Sequence, residues 1–305
     1  MKRVILDTDI GTDVDDCLAL ALLLASPEIE LVGVTCVYGH VQIRAQMVET
    51  LLHLHGSPHI PIALGAESTL LGLRSIYWPG HEGHGLLSPN QPPARVADRD
   101  AVDFLIETIL ANPGEIWVLA IGPLTNIALA LRKAPQIAKH MAGLMIMGGV
   151  IRGPGRFDLP VTEHNIVCDP EAALVVFQSG APITLVPLDV TTQVRIYPAG
   201  VEQIRAGGST YHQAVADQVA LYPPFGQRGY TFLHDPLAAG LLCDPSFAEL
   251  IPLQIEIETT GRITSGATIA RAPREQQPAN ALVALRVDTL RFESFLIERL
   301  RTPLA

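Results

Sequence analysis

The chain has 305 residues, of which 48% are hydrophobic and 17% charged, enough to bury a sizeable core as one large α/β domain or two small ones. Its 31 acidic residues outnumber 21 basic ones for a net charge of −10, which argues against a nucleic-acid backbone as partner and suits a small neutral substrate or a cation. No run reaches the roughly 18 uninterrupted apolar residues of a membrane span, and the first apolar run ends at Asp7, too soon for a signal peptide.

Val4-Ile5-Leu6 predicts a buried strand and residues 17–25 a buried helix. Between them, Asp7-Thr8-Asp9-Ile10-Gly11-Thr12-Asp13-Val14-Asp15-Asp16 places five carboxylates within ten residues, at a strand-to-helix turn. Two unit charges about 4 Å apart repel by roughly 4 kcal/mol at an effective dielectric near 20. Helix capping accounts for one or two such acids. Five together call for protons, solvent or a hard divalent cation, and Ca²⁺ and Mg²⁺ take oxygen ligands.

Residues 30–37 form a second expected strand, ending at Tyr38-Gly39-His40, followed by a helix over 42–55 and a short strand over 60–64. Residues 65–98 are rich in Gly and Pro and contain Trp78-Pro79-Gly80-His81-Glu82-Gly83-His84-Gly85, which reads as an active-site loop. Alternation then resumes: helix 101–110, strand 116–121, the turn Gly122-Pro123-Leu124-Thr125-Asn126, helix 127–132 and strand 144–147 before Gly148-Gly149. A second loop over 150–167 carries Glu163-His164-Asn165, and Asp169-Pro170-Glu171 opens a helix with Asp as cap and Pro at the first helical position. Strand 183–186, an interrupted helical region over 198–242 with His234-Asp235-Pro236 inside it, strands near 253–257 and 281–287, and a closing helix over 290–300 complete the chain. The pattern predicts one α/β domain over residues 1–305: an open, mostly parallel (mixed) sheet flanked by helices, Rossmann-like, with its polar clusters at strand ends. Cys17, Cys36, Cys168 and Cys243 lack metal-ligand spacing and read as buried thiols of a reducing, cytoplasmic compartment.

In order along the chain, Asp7-Thr8-Asp9-Ile10-Gly11 with Asp15-Asp16, Gly122-Pro123-Leu124-Thr125-Asn126-Ile127-Ala128, Met147-Gly148-Gly149, Glu163-His164-Asn165 with Asp169-Pro170-Glu171-Ala172-Ala173, and His234-Asp235-Pro236 make up five motifs. With them the chain resembles the inosine-uridine preferring nucleoside hydrolases, the N-ribohydrolases, over nearly its whole length. The resemblance implies the nucleoside hydrolase fold, a tightly bound Ca²⁺, and hydrolysis of the N-glycosidic bond of ribonucleosides to ribose and free base, a step of nucleoside catabolism and of purine or pyrimidine salvage. It implies a homodimer or homotetramer. Residue by residue, Asp9 matches a calcium ligand that is also the base toward water; Asp16, Asp235 and the main-chain carbonyl of Thr125 match the other ligands. Asp15, Glu163 and Asn165 match ribose-binding residues, Met147 a residue lining the sugar site, and His234 the proton donor to the leaving base. His84 falls where a base-proximal His stands. Asp7 is either a further ligand or an orienting neighbour.

The chain departs from the family pattern in three places. Five residues, Ile10 to Val14, separate Asp9 from Asp15-Asp16 where three are usual, and the additional Asp13 can take one of the acidic roles. His40 stands where many members have the Asn of a ribose contact, and residues 152–162 contain no Asn for the 5′-hydroxyl. Trp78, Tyr222, Phe225 and Tyr230 either stack on a base or pack in the core. Asn126 is a cap or an orienting residue, Asp189 a structural one, and His53, His55, His59, His140 and His212 belong on the solvated surface. Two other functions compete. Asp7-Thr8-Asp9 after the first strand superficially fits a haloacid-dehalogenase-like phosphatase, but no correctly placed Lys and acidic metal pair follows. A catalytically silent nucleoside- or ribose-binding protein is disfavoured by the retained Asp9 and His234.

Overall fold

The computed structural model describes residues 1–152 and 156–304, so positions 153–155 of the expected 150–167 loop lie outside the described residues. In chain order the elements are β1 (Lys2–Thr8), α1 (Asp15–Leu24), β2 (Ile29–Cys36), α2 (Val41–His55), β3 (Ile62–Leu64), α3 (Ala101–Ala111), β4 (Ile116–Ala120), α4 (Thr125–Lys133), α5 (Ile137–His140) and β5 (Gly143–Met147). They continue with α6 (His164–Cys168), α7 (Pro170–Phe177), β6 (Ile183–Val186), α8 (Leu188–Thr191), β7 (Arg195–Ile196), α9 (Pro198–Arg205), α10 (Thr210–Leu221), α11 (Pro223–Arg228) and β8 (Thr231–Phe232). The chain closes with α12 (His234–Cys243), β9 (Ala248–Ile257), β10 (Thr268–Arg271), β11 (Ala281–Val287) and α13 (Thr289–Leu300).

Nine strands make one sheet in the order β10-β9-β11-β6-β5-β4-β1-β2-β3. The seven from β11 to β3 pair in parallel, while β9 and β10 pair antiparallel at one edge. From β1 the chain winds outward through β2 and β3, then returns to place β4 on the other side of β1. That reversal opens a crevice beyond the carboxyl ends of β1 and β4, where open α/β sheets take ligands. One apolar core lies against α1, α2 and α12, the other against α3, α4 and α7. In α1 residues Asp15 to Leu23 are all buried, because the helix packs on the sheet and on α12 together. No helix among the described residues is long and apolar enough to cross a membrane.

The expected elements form, most with boundaries moved by a residue or two and β9 starting five residues earlier than expected, and the mostly parallel α/β sheet is as predicted. Periodicity did not reveal the short α5, α6 and α8, the β7–β8 pair or β10. Each is at most five residues long, too short to establish a period. One histidine expectation is overturned: His212 is buried, with Nδ1 2.6 Å from Ser209 Oγ and Nε2 3.0 Å from the Thr302 carbonyl oxygen. Its ring is held by Thr302, just past the closing helix and 90 residues away in sequence.

Candidate active site

β1 delivers the acidic turn. Gly11 has φ +108°, and a Cβ there would come within 2.8 Å of Met47 Sδ, so both backbone and space require glycine. The turn is held by Arg44, a fully buried arginine on α2. Its guanidinium donates to the carbonyl oxygens of Asp9, Ile10 and Tyr38 and to Thr12 Oγ1, and packs over Trp78. Sequence reasoning missed Arg44; the available signal was a lone cation among the inward positions of an amphipathic helix. β4 contributes through Gly122, where a Cβ would lie 2.9 Å from Asp9 Oδ1.

α1 and α12 then point their first turns at the same place, bringing Asp15, Asp16 and Asp235 together near two helix N-termini. One carboxylate oxygen of each of these three lies within 4.8 Å of the others. Asp16 Oδ1 accepts from Thr8 Oγ1 at 2.5 Å, and Asp15 Oδ2 accepts from the Asp235 amide at 3.1 Å. Burial, then repulsion from Asp9 and Asp15, drives the Asp16 carboxyl well above the usual range. Burial and the neighbouring Asp15, Asp16, Asp9 and Asp13 do the same to Asp235, and burial raises Asp15 to about 6, with Asp9 and Glu163 adding to it. An all-oxygen, buried and mutually repelling trio is a donor set that fits a hard divalent cation.

These groups line a cavity of about 380 Å3 together with Asp9, Asp13, Met147, Glu163, His164, Asn165, Tyr222 and His234. Glu163 caps α6, its oxygens accepting from the amides of Asn165, Ile166 and Gly149 at 2.8, 3.1 and 2.9 Å. Asn165 Nδ2 donates to the Ile121 and Met147 carbonyl oxygens, which ties the ends of β4 and β5 to α6. His234 Nδ1 lies 2.7 Å from Thr191 Oγ1, and burial pulls the ring down to about 4, so it is neutral at physiological pH. Thr191 was not anticipated, because its helix, α8, is only four residues long.

Other expected residues sit elsewhere. His40 is exposed and its ring lies edge-on to Trp78 at 4.7 Å, away from the cavity lining. His84 is exposed and lines a neighbouring annex of about 50 Å3, which shares Asp13 and Tyr222 with the main cavity. Thr125 donates its hydroxyl to Asp169 Oδ2, and Asp169 caps α7 as its sequence position predicts. Asp7 lies behind the turn: Oδ2 accepts from Thr35 and Asn126, and burial raises its carboxyl to about 7. Asn126 also accepts from the Ala66 amide, orienting the start of the 65–98 loop. Of the aromatic residues, Tyr222 lines the cavity, Phe225 is buried, and Trp78 and Tyr230 each stack with an arginine. A larger cleft of about 810 Å3 lies at the opposite end of the strands, but its walls are mainly apolar groups and amides, so the chemistry belongs to the carboxylate cavity.

Comparison with known proteins agrees with this geometry. Residues 4–294 match the family described as inosine-uridine preferring nucleoside hydrolase. The pyrimidine-specific ribonucleoside hydrolase RihA of Salmonella agona is 33% identical over 308 residues, covering 98% of each chain. Among solved structures, a purine-preferring ribonucleoside hydrolase from Gardnerella vaginalis superposes with a TM-score of 0.88 at 31% identity over 98% of each chain. A plant nucleoside hydrolase, PpNRh1, gives 0.87 at 31% identity over 99% of each. The chain therefore belongs to the inosine-uridine preferring nucleoside hydrolase family, and is an enzyme that hydrolyses the N-glycosidic bond of ribonucleosides.

Proposed function

We propose that residues 1–305 act as one Ca²⁺-dependent ribonucleoside hydrolase with its chemistry divided between two walls of the carboxylate cavity. The observation that carries this reading is the convergence of Asp9, Asp15, Asp16, Asp235, Glu163, Asn165 and His234 on one cavity of about 380 Å3. Asp9, Asp16, Asp235 and the Thr125 main-chain carbonyl would hold the cation, and the close grouping of Asp15 with Asp16 and Asp235 supports Asp15 touching the same region. When bound, a Ca²⁺ ion there would lower the pKa of water and add positive charge to a strongly acidic site.

The remaining work falls to side chains. Asp9 accepts the proton of the attacking water. Asp15, Glu163 and Asn165 bind the ribose hydroxyls, and Met147 lines the sugar. Glu163 is well placed for this, since three backbone amides fix its carboxylate. As the C1′–N bond breaks, positive charge builds on the ribose, and the surrounding carboxylates stabilise it. His234, acting in its protonated form, hands a proton from Nε2 to the departing base and returns to the neutral ring, with Thr191 holding Nδ1. The family resemblance supports a homodimer or homotetramer, and the four cysteines without metal-ligand spacing support a reducing, cytoplasmic compartment.

Release of free base from inosine, uridine, cytidine and adenosine, before and after exhaustive chelation and after Ca²⁺ is restored, tests the reading. Base is expected from at least one nucleoside, lost on chelation and regained with Ca²⁺. No base from any nucleoside with the cation-loaded protein would sink the assignment; full activity after chelation would remove the cation from it.

A further inference from the structure

The acidic turn is two residues longer than the family pattern, and the extension contains Asp13. Asp13 lies outside the Asp15–Asp16–Asp235 trio and borders both the main cavity and the annex beneath His81 and His84. Its neighbours belong to the side where the base departs. Tyr222 donates its hydroxyl to Asp13 Oδ2 at 2.8 Å, and His234 lines the same cavity. Asp13 Oδ1 accepts from the Val14 amide at 2.6 Å. Both oxygens therefore act as acceptors, each with capacity for a further hydrogen bond.

Tyr222 has the same polarity. Tyr222 has given its only proton to Asp13, so its phenol oxygen presents lone pairs to a ligand. His81 Nε2 lies 3.2 Å from the Thr12 carbonyl oxygen, which can only accept, so Nε2 carries a proton and is already engaged. Thr12 Oγ1 accepts from Arg44 and keeps its own proton, the balancing donor in this wall. The paired acceptors Asp13 and Tyr222 suit a base edge that presents N–H groups. A keto oxygen placed there meets lone pairs, and a buried acceptor loses its water without gaining a donor.

We propose that Asp13, supported by Tyr222, reads the nucleobase and favours bases with an amino group over their counterparts lacking it: guanine over hypoxanthine, and cytosine over uracil. This inference rests on the nucleoside hydrolase reading of the same cavity. A site built around one hydrogen-bonding requirement rejects the ligand lacking it more strongly than a pocket that reads only shape.

The test is kcat/KM for guanosine against inosine and cytidine against uridine, in the unmodified enzyme and in Asp13→Asn. Each amino-bearing nucleoside is expected to exceed its partner by about tenfold or more. In Asp13→Asn the side-chain oxygen can keep the Val14 amide while the new amide presents a donor, so both ratios are expected to fall toward one. A ratio at or below one for either pair in the unmodified enzyme overturns the proposal, and this arm does not depend on the variant folding. Ratios left unchanged in Asp13→Asn overturn it as well. Efficient cleavage of inosine and uridine without an amino preference removes this inference and leaves the hydrolase reading standing, whereas no cleavage of any of the four removes the reading beneath it.

Discussion

Removing the cation should make the protein lose stability as pH rises, in the range where most proteins are steady. The Asp15 carboxyl, ordinarily near 3.8, is raised to about 6 in the fold, first by burial and then by Asp9 and Glu163. A raised carboxylate favours the folded state while it holds its proton, below pH 3.8, and that stability is lost as pH climbs through the folded value. For Asp15 alone the change corresponds to about 3 kcal/mol. Asp16 and Asp235 move in the same direction and add to it. Asp7, raised to about 7, adds a part that the cation does not relieve, because its carboxylate is bonded to Thr35 and Asn126 behind the turn. About 1.4 kcal/mol of the Asp15 change falls above pH 5, and at this chain length about 1 kcal/mol corresponds to roughly 2 °C in Tm, so the chelated protein is expected to lose at least about 3 °C between pH 5 and pH 8. Saturating Ca²⁺ should recover most of this loss, since about 4 kcal/mol follows from binding at a thousandfold excess over Kd. Differential scanning calorimetry at matched ionic strength reads the Tm values. Titration calorimetry in buffers of different ionisation enthalpy reads the protons released, expected to be about one or more per cation at pH 6. A chelated Tm that stays flat or rises from pH 5 to pH 8, together with Ca²⁺ binding that releases no protons, would refute the reasoning.

Three substitutions probe the rest of the site. Asp9→Asn should lower kcat by about a thousandfold or more with Tm nearly unchanged, since the amide keeps a side-chain oxygen for the cation but cannot accept the proton of water; near-normal turnover would take Asp9 out of that role. His234→Ala should reduce turnover of natural nucleosides by about a hundredfold or more and that of a nitrophenyl riboside far less; equal losses on both would exclude proton donation to the leaving group. Arg44→Met strips three main-chain carbonyls and the Thr12 hydroxyl of their donor, so a loss of about 3–5 kcal/mol in chemical denaturation is expected; a change below about 1 kcal/mol would mean the turn holds itself.

Much of this protein is legible in one dimension, for a local reason. Buried parallel strands must be apolar throughout, helices must carry apolar faces, and ligand-binding turns fall at strand ends, so the β/α alternation and the acidic turn after β1 can be read directly. The Asp-Pro-Glu start of α7 and the capping of α6 by Glu163 are likewise set within four residues of chain. What tertiary structure decided are the relations between distant residues. Asp235 joins Asp15 and Asp16 only because α12 packs against α1, across 219 to 220 positions of sequence. Arg44 reaches back 35 residues to hold the Asp9 carbonyl, and His40 turns outward onto Trp78 although it stands at a strand-end position like those that serve the site. Asp13 gains a defined place only through Tyr222, 209 residues later. Residue type and period are local properties that sequence records. Which carboxylates share a cation, and which one faces a base, depends on how two helix starts and a loop meet over the sheet, and that was decided by packing.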